Sequence, residues 1–393
     1  MTAYLFIDID NFGDINKKFG FGYGNKLISR FKKHVRSNFG INGTVFHFGA
    51  DNFLVEYKGA RDYDELDEKL IAFLKQQFIY HANKHMPISI TSSIGVAVSK
   101  DHAEEFWELV RCADVALQEA KESGKNTYKV YTKNVDDLTK LKFDLSQSIK
   151  KSIEANEFEM VYQPIISAVN DQIVGAEALV RWNHKSKGQI PPNDFIEIAE
   201  NTGQMALLET WIIKETVRHM KTLLEKIPSL GFVSINLSNK GLKNNHLIEL
   251  LDTLQSKAPF DASKLILERT ESYLIEDFDA CLVEMEAIIE KGYRFALDDF
   301  GTGYSSLSYL MKLPVSKLKL DRSFVHRIES SNRDQTMIKT IIDLAHNLNL
   351  KIVVEGVERK EQVELLKQMG CDYFQGYYFS KPKSYNTFMT KFR

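Results

Sequence analysis

The sequence predicts an α/β chain of two domains, the second a (β/α)8 barrel with one reversed strand. Short apolar stretches alternate with amphipathic helical stretches along nearly the whole chain. Eight of these strands fall in the last ~235 residues, a density that suits a closed barrel. Only a brief turn containing Asn170-Asp171 divides the first two, so they should pair antiparallel as a hairpin.

The 393 residues are 44% hydrophobic, 11% aromatic and 26% charged, which excludes a disordered or collagen-like chain. At about 100–200 residues per domain, two domains are expected. A formal net charge of −2 argues against a partner such as a DNA or RNA polymer, though not against one small anionic substrate. Cys112, Cys281 and Cys371 are too few and too scattered for a disulfide framework or a Cys-rich zinc site. No apolar run reaches the ~18–20 residues of a membrane span. Asp8 and Asp10 come too early for a signal peptide. The expectation is a soluble, cytoplasmic chain with no membrane segment, compatible with membership in a longer sensor protein.

Residues 1–133 read as the first domain. A strand over 4–7 runs into Asp8-Ile9-Asp10, and Leu27, Ile28, Phe31 and Val35 give a helix its apolar face. Residues 45–48 and 52–57 form a hairpin around Gly49-Ala50-Asp51. A helix over 63–81, a strand over 88–98 and a helix over 103–123, capped by Gly124, complete the unit. His81 and His85, spaced as helix neighbours, read as solvent-facing because no third metal ligand is evident. Residues 134–156 are charged and periodic through Leu138, Leu141, Leu145, Ile149 and Ile153, which predicts a connecting helix. No Pro/Gly-rich linker flanks it, so a semi-rigid join is expected. Signalling and simple spacing suit this helix equally.

The third segment, 157–393, is the barrel, with strands over 158–166, 173–182, 232–237, 265–270, 294–299, 318–321, 351–357 and 373–379. Within apolar runs these strands carry Glu177, Asn236, Glu268, Asp298-Asp299, Lys319, Glu355 and Gln375. In such a barrel the C-terminal strand ends converge on one face, so these groups should share one bowl. Carboxylates this dense need cations to stay ionised in a partly dry site. Oxygen donors without His or Cys match hard ions, Mg2+ or Mn2+. Asp298 and Asp299 can face one ion each, or one of them can bridge both. Two ions about 3.5–4 Å apart suit hydrolysis at phosphorus. Lys319 can hold the attacking water or neutralise phosphoryl charge, and Glu355 can take the proton.

Specific motifs stand at these residues: Tyr162-Gln163-Pro164, Glu177-Ala178-Leu179-Val180-Arg181-Trp182, Asn236-Leu237-Ser238, Glu268-Arg269-Thr270-Glu271-Ser272, Asp298-Asp299-Phe300-Gly301-Thr302-Gly303, Lys319-Leu320-Asp321-Arg322, Glu355-Gly356-Val357-Glu358 and Gln375-Gly376. With these, residues from about 140 onward resemble an EAL domain, the family of cyclic-di-GMP phosphodiesterases. The resemblance implies a TIM-like barrel that hydrolyses cyclic di-GMP to linear pGpG with two divalent cations, Mg2+ or Mn2+. It implies Glu177, Asn236, Glu268 and Asp298 as ligands of one ion, and Asp299 for the second with Asp298 shared. It further implies Lys319 as the water-positioning lysine and Glu355 as general base. Gln163 and Gln375 would be polar contacts around the phosphate and water, Arg181 the phosphate-binding arginine, and Glu271 the anchor of the 299–306 loop. Arg269 departs from the family, which usually has an apolar residue there, and strand alternation should point it away from the bowl. The family also implies a homodimer through the barrel. A non-catalytic receptor for cyclic di-GMP is the alternative reading.

The first domain is similar to a GGDEF domain, a nucleotidyl-cyclase-like α/β fold, in degenerate form. Its signature reads Phe48-Gly49-Ala50-Asp51-Asn52-Phe53. Asp8 and Asp51 keep metal positions, Asn16 a guanine contact, and Lys121 and Lys125 basic groups for a triphosphate. Ala50 and Asn52 replace a glycine and an acid, Asn25 replaces an aspartate, and the product-inhibition pair is absent at Gly40 and Gly43. The resemblance therefore implies no cyclase activity and a regulatory role, with GTP as effector.

Overall fold

The computed structural model describes residues 1–76, 78–81, 87–242, 244–271, 273, 278–301 and 307–393. The chain divides into two compact units, Met1–Phe143 and Asp144–Arg393.

In the first unit, β1 (Ala3–Ile9), β2 (Gly43–Gly49), β3 (Asn52–Tyr57), β6 (Ser92–Val98) and β7 (Tyr128–Val130) form one sheet in the order β2-β3-β1-β6-β7. Alternation sorts its two faces. After the short α1 (Phe12–Phe19), Leu27, Phe31 and Val35 of helix α2 (Phe21–Phe39) and Leu66, Leu70 and Phe73 of α3 (Tyr63–Lys75) pack with Leu5, Ile7 and Ile9 of β1. Phe6, between them in sequence, joins Leu54 and Ala97 against Leu109, Ala113 and Leu117 of α4 (Phe106–Glu122). Each fully buried Leu or Phe there contributes about 1.5–3 kcal/mol of apolar burial. Asp62 starts α3 by accepting the Glu65 amide at 3.0 Å.

One expected element differs. The helix expected over 63–81 ends at Lys75, and β4 (Phe78–His81) instead pairs antiparallel with β5 (Pro87–Ile90). Phe78 and Tyr80 are aromatic and favour a strand, and Tyr80 is buried against the unit's core. Cross-strand burial outweighs the helical period there. His81 is therefore not on a helix, and His85 lies outside the described residues. The long strand expected over 88–98 is two strands, broken at Thr91. The connecting helix α5 runs Lys133–Glu154.

In the second unit, β8 (Phe158–Ser167), β9 (Ile173–His184), β11 (Phe232–Asn236), β12 (Leu265–Thr270), β13 (Arg294–Phe300), β14 (Lys317–Leu320), β15 (Lys351–Val354) and β16 (Tyr373–Phe374) close into a barrel. All neighbours pair parallel except β8, which is antiparallel to both β9 and β16. The short β10 (Gly188–Ile190) extends β9, and β17 (Lys383–Ser384) pairs with β8.

A layer of Ile165, Phe232, Ile266, Ala296 and Val353 fills the barrel. It fixes the polar layer above it, because side chains two apart share a face. Glu268 follows Ile266 by two, Asp298 follows Ala296, Glu355 follows Val353, and Gln375 follows Tyr373. On the reversed β8 the sign inverts, and Gln163 precedes Ile165 by two. Gly175 lies beneath Glu177 because the Phe232 ring takes its side-chain space; a Cβ there would stand 2.3 Å from that ring. Cys112, Cys281 and Cys371 are all buried and unbridged. Among the described residues no helix is long and apolar enough to cross a membrane.

Candidate active site

The polar layer converges on the Lys319 ammonium. Lys319, at the middle of β14, is 1% exposed. Its Nζ lies 2.7 Å from Glu268 Oε2, 2.7 Å from Glu355 Oε1, 3.2 Å from Asp298 Oδ1 and 3.5 Å from Glu177 Oε2. Burial alone would lower its pKa, but the four surrounding carboxylates outweigh that and hold it well above the usual lysine value. Burial raises the Glu268 carboxyl well above its ordinary range, against the pull of Lys319. Burial likewise pushes Glu355 up to about 8, with Asp298 and Glu177 adding to the shift and Lys319 opposing it. Glu355 is nevertheless the open edge of the cluster, with its side chain 20% exposed.

Two amides hold Glu177, and a third backs one of them. Asn236 Nδ2 donates to its Oε1 at 2.5 Å, and Gln375 Nε2 donates to its Oε2 at 2.5 Å. Gln375 also donates to Gln163 Oε1 at 3.2 Å, and Gln163 donates to the Ser380 carbonyl at 3.2 Å. Gln375 Oε1 is buried without a hydrogen-bond partner. This chain of amides joins β8, β9 and β16 across the seam where the barrel closes.

Asp298 and Asp299 occupy a break in the β13–β14 register between Leu297 and Phe300. Asp299 has φ 55, a left-handed conformation that a non-glycine residue adopts at a cost. Regular alternation would send adjacent side chains to opposite faces, and the bulge re-aims them. Burial raises the Asp299 carboxyl, as does its neighbour Asp298. Asp298 Oδ1 accepts the Asp299 amide at 2.9 Å. Glu271 Oε2 accepts the Gly301 amide at 3.4 Å, which ties the end of β12 to the chain just after the paired aspartates. Residues 302–306 of the loop expected to be anchored there lie outside the described residues.

Above the cluster a cavity of about 230 Å³ is lined by Gln163, Glu177, Leu179, Asp298, Lys319, Arg322, Glu355, Gly356, Glu358, Gln375, Gly376 and Tyr377. Arg322, Glu358 and Tyr377 had no role in the sequence reading. All three lie just beyond the ends of barrel strands, and that position is the signal that could have found them. Glu268 and Asn236 belong to the cluster without lining the cavity. Arg181 stands farther along β9 and donates to the Val180 carbonyl at 2.8 Å; it touches none of the clustered acids. Among the described residues no three His, Cys, Asp or Glu side chains form a ready metal cage. The central position belongs to the Lys319 ammonium.

In the first unit, Asp8 Oδ2 pairs with Lys121 Nζ at 2.9 Å. Burial raises Asp8 to about 6 against the pull of Lys121. Asp51, at the hairpin turn, adds to that rise, which puts it within electrostatic range of Asp8. Lys125 donates to Asn11 Oδ1 at 2.6 Å, and Asn16 Oδ1 is buried without a partner. Ala50 holds φ 44 at the hairpin turn.

Fold and site together define two units in sequence, a mixed α/β sheet domain and then an acid-mouthed α/β barrel. The chain belongs to the EAL domain family: residues 146–382 match the EAL domain, and residues 1–127 match the family described as "Diguanylate cyclase, GGDEF domain". It is 34% identical over 382 residues to the bifunctional diguanylate cyclase/cyclic di-GMP phosphodiesterase MucR of Pseudomonas aeruginosa, across 97% of this chain and 55% of that one. It is 31% identical over 382 residues to the cyclic di-GMP phosphodiesterase NbdA of the same organism, across 97% of this chain and 48% of that one. The chain thus spans about half the length of these curated relatives. The solved structure titled "PaMucR Phosphodiesterase, c-di-GMP complex" superposes with a TM-score of 0.59 at 36% identity, over 62% of this chain and 99% of that one.

Proposed function

We propose that the barrel hydrolyses cyclic di-GMP to linear pGpG with the help of two divalent cations, Mg2+ or Mn2+. The observation that carries this reading is the convergence of four carboxylates on one buried ammonium beneath a cavity of about 230 Å³. The likeness to named cyclic di-GMP phosphodiesterases supports the substrate.

The donor set suits hard cations. Glu177, Glu268, Asp298 and Asp299 offer carboxylate oxygens, Asn236 an amide oxygen, and no sulfur or imidazole is among them. These five residues would hold the ions, whose bound chemistry is Lewis-acid polarisation of the phosphoryl group and activation of water. Glu355, at the open edge, takes one proton of the attacking water at a carboxylate oxygen as that water bonds to phosphorus; the P–O bond to the ribose 3′ oxygen breaks, and that oxygen leaves as a hydroxyl on gaining a proton from solvent. Lys319 keeps its positive charge beside the developing phosphoryl charge. Gln163 and Gln375 orient phosphate and water. Arg322 offers a cation and Tyr377 a ring for the guanine-bearing part of the substrate. Arg181 binds the second phosphate once the nucleotide spans the mouth.

The first unit is proposed as an inactive, GTP-responsive regulator using Asp8, Asn16, Asp51, Lys121 and Lys125, supported by the Asp8–Lys121 pair and the buried Asn16 oxygen. A homodimer through the barrel rests on the family resemblance alone.

Product analysis after mixing protein, cyclic di-GMP and Mn2+ or Mg2+, with and without GTP, tests the proposal. Linear pGpG is the expected product, and its yield should change with GTP. Tight nucleotide binding with no cleavage over hours would replace it with the receptor reading.

A further inference from the structure

The guanidinium of Arg269 sits outside the barrel, 3% exposed, between two strand ends that carry the site. Alternation on β12 turns Glu268 into the barrel and Arg269 out of it. One Arg269 nitrogen donates to the Ser238 carbonyl at 2.7 Å, and another reaches Glu284 Oε1 at 3.3 Å. The guanidinium also lies over the Tyr273 ring, 4.1 Å from its centroid. Tyr273 donates its hydroxyl to the second oxygen of Glu284.

These contacts reach two loops of the site. Ser238 follows Asn236 by two residues, at the end of β11. Its amide donates to Glu209 Oε1 at 2.9 Å and its hydroxyl to Glu200 Oε1 at 2.5 Å. Tyr273 follows Glu271 by two residues, and Glu271 receives the Gly301 amide beside the paired aspartates. One planar, permanently charged group therefore fixes the spacing between Asn236 and the Glu271 turn. A guanidinium makes these contacts from one rigid plane that stacks on the ring, whereas an ammonium offers donors but no plane to stack.

We propose that Arg269 is a positioning residue: it clamps the ends of β11 and β12 so that Asn236 and the Asp298–Asp299 bulge hold the divalent ions. This rests on the proposed phosphodiesterase reading, which it deepens by naming a residue that touches neither substrate nor ions. Groups that orient metal ligands from behind typically change ion affinity by about 10–100-fold when removed.

The test compares the parent chain, Arg269→Lys and the double variant Arg269→Met/Glu284→Leu. The double variant is needed because removing Arg269 alone leaves Glu284 buried and unpaired, and such a chain can fail to fold. The measurements are thermal unfolding, Mn2+ binding by calorimetry, kcat and KM for cyclic di-GMP, and amide hydrogen exchange at Ser238 and Gly301. The double variant should melt near the parent. It should bind Mn2+ at least about tenfold more weakly, lose kcat more than it gains KM, and exchange faster at both amides. Arg269→Lys should fall between the two. A double variant that folds with the parent's ion affinity, kcat and exchange rates would overturn the proposal. A parent that binds Mn2+ yet leaves cyclic di-GMP intact would sink the proposed function alone, since ion affinity and exchange still judge Arg269. A parent that binds no Mn2+ would overturn the proposal as well.

Discussion

Lys319 Nζ stands 2.7 Å from Glu268 Oε2, and both side chains are only 2% exposed. Neither group can be relieved by water, so each depends on the other. Three further carboxylates lie within 3.5 Å of the same ammonium. One positive charge thus restrains four acids, a balance that a divalent cation would complete.

Replacing Lys319 should therefore unmask the repulsion. Lys319→Met is expected to lose about 3–5 kcal/mol in chelator, the usual cost of stranding a buried charge. Mg2+ or Mn2+ should raise the melting temperature of the variant more than that of the parent. Unfolding curves in EDTA and in millimolar ion make the comparison, and equal melting of both proteins in EDTA would contradict it.

Glu355 gives a pH signature. Its carboxyl is raised by burial to about 8 in the ion-free protein. A raised acid favours the folded state while protonated, so its contribution is complete below about 4.5, the usual free value, and is lost as pH rises through about 8. The ion-free protein should lose melting temperature from pH 5 to 8.5, and Glu355→Gln should flatten that slope. The same variant should lower kcat by about 10²–10⁴-fold, the typical worth of a general base, with nucleotide affinity largely kept. An unchanged rate would remove Glu355 from the reaction.

Gly356 separates backbone need from chemistry. It has φ 68, and a Cβ there would stand 2.3 Å from Arg322 Cβ. Gly356→Ala should cost at least ~1–2 kcal/mol from the left-handed conformation alone. It should also displace Arg322 and raise KM for cyclic di-GMP. Chemical denaturation and steady-state kinetics measure the two effects.

Ala50 in the first unit poses the converse case. Its φ of 44 is strained for alanine. Ala50→Gly should leave stability unchanged or raise it by up to about 1 kcal/mol, within the penalty for that conformation. It should not create cyclic di-GMP from GTP, because Asn52 still supplies no anion. Nucleotide analysis of the Ala50→Gly/Glu355→Ala protein, in which degradation of any product should be strongly slowed, decides this.

The barrel was legible because its strands are apolar runs with one polar residue at a fixed depth. Glu268, Asp298 and Glu355 stand two residues above a filled apolar layer, and that offset is written in the sequence. The stretch over 78–81 was not legible. A helical period continued through it, and only pairing with 87–90 makes it a strand. Lys319 was recognised, yet its central position among the acids follows from eight strands closing, which no local pattern encodes. Arg322 and Glu358 stood in the quoted motifs without a role and Tyr377 went unremarked, because residues just beyond strand ends follow no strand period. The outward turn of Arg269 was foreseen from alternation, but its partners on Ser238 and Glu284 lie 31 and 15 residues away.

The antiparallel course of β8 governs how the polypeptide reaches its own barrel. Phe158 pairs with Trp182 and Gln163 with Glu177, so the incoming segment arrives at the rim and descends toward the floor. Glu157 moors that entry through Ser152 Oγ at 2.7 Å and Trp182 Nε1 at 3.4 Å. A tug or twist on the backbone ahead of Phe158 would thus be delivered to the lip of the bowl, a few residues from an amide of the chemical centre, with no need to travel through the apolar plug below.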